Sequence, residues 1–219
     1  MRIRAAVTLA ALAALLGPTT TAHAADPGDT VNLPVREALS ALAVADEDRT
    51  GYTRDKFRHW IDADRDGCNT RAEVLLEEAV TAPEQGARCT LTGGLWYSPY
   101  DDRWVDGPRT IDIDHRVPLA EGWDSGAKWW TAAERQAYAN DLNDPRALIA
   151  VTAASNRSKA DQDPATWMPP AAGNHCEYAT QWVAIKTRWR LAVDPNEAAA
   201  LNNSLAACPN TPIEVELAR

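Results

Sequence analysis

The chain has 219 residues, four cysteines and a formal net charge of −9. If its first residues are removed as a leader, the loss of Arg2 and Arg4 takes that charge to about −11, which excludes tight nonspecific binding of a polyanion through charge alone. Beyond the leader, no segment is long and apolar enough to span a bilayer.

Residues 1–24 read as a secretory leader. Arg2 and Arg4 form its positive start, and Ala5 to Gly17 is apolar but short. Ala22-His23-Ala24 is a small-residue cleavage signal. The remainder, 25–219, is long enough for one domain with its own core. It is expected to be exported and monomeric, with no membrane association. An even number of cysteines in an exported chain predicts two disulfides. Sequential pairing, Cys68 with Cys89 and Cys176 with Cys208, closes two local loops. A structural zinc site is disfavoured, since no C-x-x-C spacing is present.

Asp26 to Asn32 reads as a polar lead-in. Helical spacing of apolar residues predicts helices over 34–46, 52–61 and 71–80. Asp62-Ala63-Asp64-Arg65-Asp66-Gly67-Cys68-Asn69-Thr70-Arg71-Ala72-Glu73 lies between the last two. It meets the calcium-loop pattern D-x-D-x-D-G-x5-E. Asp62, Asp64 and Asp66 would supply side-chain oxygens, Cys68 its carbonyl, Thr70 a direct or water-mediated contact, and Glu73 a bidentate carboxylate. No second such loop exists to pair with it, so a fixed structural Ca²⁺ site is expected rather than a sensor.

Trp96 to Trp104 is aromatic and turn-rich and is expected to hold a strand leading toward Ile111. Thr131 to Leu142 reads as a helix opened by a capping box, with Thr131 as N-cap and Glu134 three residues on. Leu148 to Thr152 is apolar and β-branched, hence a strand, and Ser155 to Asp161 opens a helix. Cys176 to Leu191 and Asn196 to Ala207 read as amphipathic helices. The nine tryptophans are read as packing residues rather than base-stacking platforms, Trp60, Trp167, Trp182 and Trp189 above all.

The chemistry concentrates in two stretches. Asp112-Ile113-Asp114-His115-Arg116-Val117-Pro118 puts a histidine beside two carboxylates at the end of a strand, and Asn156-Arg157-Ser158-Lys159 adds an amide oxygen and two cations. Phosphodiester hydrolysis needs a base for water, a neutraliser of charge on phosphorus and stabilisation of the leaving oxygen. His115 suits the first task, because its ordinary pKa of about 6.5 brackets neutral pH. Asp114 and Asn156 can hold a hard divalent ion through oxygen. Asp112, two residues before Asp114, shares its face of the strand.

With "GLWYSPYD" upstream and "NRSKADQDPATWMPP" at the second motif, the order D-I-D-H-R-V-P-L then L-I-A-V-T-A-A-S-N-R-S-K-A-D resembles HNH nucleases of the ββα-metal type. Within them it is most similar to the C-terminal domain of GmrSD-type restriction endonucleases. The resemblance covers roughly residues 35 to 208. It implies an α+β fold, with a small ββα core at about 96–170 set in a mostly helical domain. It also implies a nuclease acting on DNA, with RNA as a second candidate substrate and Mg²⁺ or Mn²⁺ at the catalytic site, beside the Ca²⁺ expected in the loop. Asp114 and Asn156 match metal ligands, with Asp112 a further ligand or support, and His115 matches the general base. Lys159 and Arg157 would sit near the scissile phosphate. The middle asparagine of the pattern is not at Ala147; Asn140 or Asn143 fills its role, or another group does. The competing reading is a secreted calcium-binding interaction protein on a degenerate nuclease scaffold. An effector aimed at competing cells is the third, disfavoured by the short lead-in.

Overall fold

A computed structural model describes residues 26–219; the expected leader lies outside them. The described chain opens with a strand, β1 (Thr30–Pro34), rather than a flexible lead-in. It pairs antiparallel with β8 (Pro212–Glu216), Val31 opposite Val215 and Leu33 opposite Ile213. Ile213 and Val215 alternate with Glu214 and Glu216, so one face of β8 enters the core.

Helix α1 (Val35–Ala41) stops earlier than its apolar spacing predicts. Leu42 is extended, and the chain runs on to bridge Val44 with Val193. The helix expected over 52–61 is absent. Only a single 3-10 turn forms, at Arg54–Lys56. Trp60 has φ 58, a left-handed conformation that no right-handed helix passes through. Phe57 alone of this stretch is completely buried.

Helix α2 (Thr70–Glu77) starts at Asn69, whose side chain caps Ala72 N. Two short strands, β2 (Glu84–Gln85) and β3 (Leu91–Thr92), pair with each other. The expected strand near Trp96 is a hairpin instead: β4 (Leu95–Ser98) turns through Asp102, φ 52, into β5 (Arg103–Asp106). It does not continue into β6 (Ile111–His115), which pairs antiparallel with β7 (Leu148–Thr152).

Between β6 and β7 lie α3 (Leu119–Asp124) and α4 (Ala132–Ala139). The capping box forms as read: Thr131 Oγ1 accepts from Glu134 N at 3.2 Å, and Glu134 Oε2 accepts from Thr131 N at 2.7 Å. Helix α5 (Ala153–Lys159) follows β7 at once, capped by Thr152. Helices α6 (His175–Trp189) and α7 (Pro195–Ala206) complete the set. The architecture is mixed α and β, as expected.

Helix α6 is the axis of the core. Tyr178, Trp182, Val183, Ile185 and Trp189 are all buried on it. The cysteines pair sequentially, Cys68–Cys89 and Cys176–Cys208, the second tying the start of α6 to the end of α7. Trp182 and Trp189 pack as read, and Trp60 and Trp167 are partly buried against the core. Trp104 and Trp129 are exposed.

Candidate active site and acidic loop

Strand alternation sends Asp112 and Asp114 to one side of β6. Helix α5 lies against that side, and its residues meet the two carboxylates in successive rungs. Asn156 Nδ2 donates to Asp112 Oδ2 at 3.2 Å. One turn further, Lys159 Nζ donates to Asp114 Oδ2 at 2.5 Å and to the His115 carbonyl at 2.8 Å. Tyr100, just past the end of β4, donates its hydroxyl to the same Asp114 oxygen at 2.6 Å. Burial holds the Tyr100 phenol far above its usual range, so it stays a donor.

Lys159 is completely buried. The expectation of a phosphate-facing ammonium is therefore corrected: its charge is spent inside the fold, on Asp114. Burial pulls its pKa down to about 8, against the opposing pull of Asp114. It remains largely protonated at neutral pH. Arg157, on the outer face of α5, is exposed and forms no hydrogen bond or ion pair with described residues.

His115 leaves the opposite side of the strand. Its Nε2 lies 2.9 Å from the Ala139 carbonyl at the end of α4. A carbonyl can only accept, so Nε2 carries the proton and Nδ1 is left as the acceptor. Burial pushes the imidazole down to about 4, which keeps it neutral. Trp60 stands 5.4 Å from the ring, centroid to centroid, and His59 stands 6.4 Å away. Neither Asn140 nor Asn143 hydrogen-bonds His115; the group that does is the Ala139 carbonyl, just before Asn140. Asn140 instead braces the acidic loop. It accepts from Ile61 N at 3.1 Å and Thr70 Oγ1 at 2.8 Å, and donates to Arg58 O at 2.8 Å.

Tyr100 and the Ser98–Asp101 turn are the residues that sequence reasoning passed over. Ser98 Oγ accepts from Thr152 N at 3.0 Å, and Thr152 Oγ1 donates to Asp101 Oδ2 at 2.7 Å, which clamps the β7–α5 junction. Their signal was the "SPYD" stretch, quoted as a flank without a role.

In the acidic loop, Asp62, Asp64 and Asp66 offer oxygens all within 4.8 Å of one another, and all three residues are exposed. Gly67, φ 99, makes the turn and its N–H donates to Asp62 Oδ2 at 3.1 Å. Burial first, then Asp66, Asp64 and Asp62, raises the Glu73 carboxyl above its usual range. Cys68 is fixed by its disulfide. Thr70 departs from the expected ligand role: it is buried, and its hydroxyl is engaged with Ile61 O at 3.0 Å and with Asn140. A helix leaves the loop but none enters it.

Residues 69–203 match the family described as GmrSD restriction endonucleases, C-terminal domain. An uncharacterized secreted protein of Arthroderma benhamiae is 42% identical over 171 residues, spanning 78% of this chain and 82% of that protein. Among solved structures, none matches. The matched stretch contains both motif segments, β6 with Asp112, Asp114 and His115 and α5 with Asn156 and Lys159, and the chain belongs to the GmrSD C-terminal domain family of restriction endonucleases.

Proposed function

We propose that the protein is a secreted endonuclease that hydrolyses phosphodiester bonds of DNA, with His115 as general base and one divalent metal beside Asp114. The carrying observation is the pair of rungs between β6 and α5, which brings the two motif segments together. Export is supported by the leader-like N-terminus and by the secreted relative.

The donors suit Mg²⁺ or Mn²⁺. Lys159 and Tyr100 occupy one oxygen of Asp114, and Asn156 Nδ2 occupies one oxygen of Asp112. Asp114 Oδ1, Asp112 Oδ1 and Asn156 Oδ1 make no hydrogen bond among the described residues. That is a sparse, all-oxygen set, which suits Mg²⁺, whereas Ca²⁺ takes more protein oxygens. When bound, the ion would neutralise charge on phosphorus and the leaving oxygen. Lys159 and Tyr100 hold the Asp114 carboxylate in one orientation. The Ala139 carbonyl holds His115 in the tautomer whose Nδ1 can take a proton from water. Arg157, exposed on α5, would meet phosphate. The loop from Asp62 to Glu73 is assigned to a structural Ca²⁺.

Plasmid nicking with Mg²⁺, Mn²⁺, Ca²⁺ or EDTA tests this. Nicking supported by Mg²⁺ or Mn²⁺ and stopped by EDTA is expected. A second reading, a calcium-binding interaction protein on a silenced nuclease scaffold, is favoured by one observation: His115 is only 6% exposed. Absence of nicking in every metal, by folded protein, would select it.

A further inference from the structure

A second acidic centre lies apart from both sites. Two trios of carboxylates share Glu47. One adds Glu121 and Asp124 of α3; the other adds Asp163, four residues past the end of α5, and Asp194, the N-cap of α7. In each trio one oxygen per residue lies within 4.8 Å of the others. Two oxygens bound to one Ca²⁺ at about 2.4 Å are at most about 4.8 Å apart, so each trio is compact enough to share an ion.

Two cations stand beside the cluster, and their charge is already committed. Lys186 Nζ, fully buried on α6, bonds Glu121 at 2.6 Å, Glu197 at 2.8 Å and Ser125 Oγ at 2.7 Å. Arg49 Nε bonds Asp124 Oδ2 at 2.6 Å. Among the described residues, no lysine or arginine pairs with Glu47, Asp163 or Asp194.

An independent observation points to a ligand. The Asp124 side chain is 1% exposed, and its second oxygen, Oδ1, is buried with no hydrogen-bond partner. A buried carboxylate oxygen is normally satisfied, and leaving it bare costs free energy that a cation would recover. Glu47 itself is exposed, which leaves a way in from solvent. The donors are all carboxylates, with neither sulfur nor imidazole, a set for a hard ion with many oxygen ligands rather than for zinc.

We propose that Glu47, Glu121 and Asp124 hold a structural Ca²⁺, the trio that contains the bare Asp124 oxygen. The ion would tie the segment before Arg49 to α3, which follows His115. Glu47 lies outside the stretch matched to the family, whereas Glu121 and Asp124 lie inside it.

The test uses the full exported chain with the acidic loop disabled by Asp64→Asn and Glu73→Gln. Calcium titration calorimetry and thermal melts are read on this protein, with and without Glu47→Gln. The loop-disabled protein should still bind one Ca²⁺ and melt higher when it does. Adding Glu47→Gln should weaken that binding roughly tenfold or more, since affinity follows ligand charge, and abolish the melting rise. Glu47→Asp, which keeps the charge, should fall between. Circular dichroism confirms folding, which an exposed Glu-to-Gln change should preserve. No calcium uptake by the folded loop-disabled protein, or titrations unchanged by Glu47→Gln, would overturn the proposal.

Discussion

The β6–α5 rungs and the loop from Asp62 to Glu73 use the same currency, carboxylates beside a short helix, and packing treats them in opposite ways. On the strand, Asp114 is buried and already satisfied on one oxygen by a lysine and a tyrosine. In the loop, three aspartates crowd together in solvent with only backbone N–H groups between them. The first arrangement fixes geometry before any ligand arrives, and its carboxylates keep few free oxygens. The second stores repulsion that a divalent ion would relieve. A preset site suits chemistry, where groups must be held in place for the transition state. A self-repelling loop suits an ion whose binding serves as part of folding.

Several substitutions would break or sharpen this contrast. On the strand side, His115→Ala should lower nicking by roughly 10²–10⁴-fold, the usual worth of a positioned base, in protein that circular dichroism shows to be folded. Nicking at the wild-type rate would remove the base assignment and much of the contrast with it. Lys159→Met should cost about 3–5 kcal/mol in denaturant unfolding, because it strands a buried Asp114. The double change Lys159→Met with Asp114→Asn should be milder than the single, since no buried charge is left unpaired; equal losses would show that the pair is not what holds the rung.

On the loop side, Cys68→Ser with Cys89→Ser should cost about 2–4 kcal/mol. It should also lower calcium affinity by calorimetry, because the disulfide holds the loop beside β2. Glu73→Gln should remove most of the calcium-dependent rise in melting temperature that comes from the loop. That rise is worth up to about 2.7 kcal/mol at a hundredfold excess over Kd. Nicking by folded Glu73→Gln protein should persist in Mg²⁺; its loss would mean the two regions are coupled. Smallest of all, Arg157→Ala should leave stability unchanged. It should reduce the slope of log binding against log salt by about 0.9, one phosphate contact.

That the Asp112–His115 and Asn156–Lys159 stretches belong together was readable from the chain, and they meet across β6 and α5. Which side of α5 faces inward was not. A seven-residue helix offers two turns and no clear apolar stripe, so Lys159 was read as facing the scissile phosphate, whereas the fold buries it. The helix expected over 52–61 failed for a related reason: the spacing of Phe57, Trp60 and Ile61 is helical, but Trp60 turns the backbone left-handed to stand against His115. β1 and β8 escaped notice because their register links residues at opposite ends of the chain. No local pattern in either strand names the other. The Thr131–Glu134 capping box was legible since its partners lie three residues apart, and the sequential disulfides since each closes a local loop.

The pairing of β1 with β8 also sets a limit on processing. Among the described residues β8 has β1 as its sole strand neighbour, joined from Thr30–Glu216 to Pro34–Pro212. A protease that trims the chain near Ala24 leaves that ladder whole. One that cuts past Pro34 strips β8 of its neighbour and uncovers a row of unpaired N–H and C=O groups above a hydrophobic face. Such an edge is a template for strands of other molecules. Over-trimming should thus convert a soluble product into one that self-associates, and the integrity of five N-terminal residues becomes a check on solubility as much as on stability.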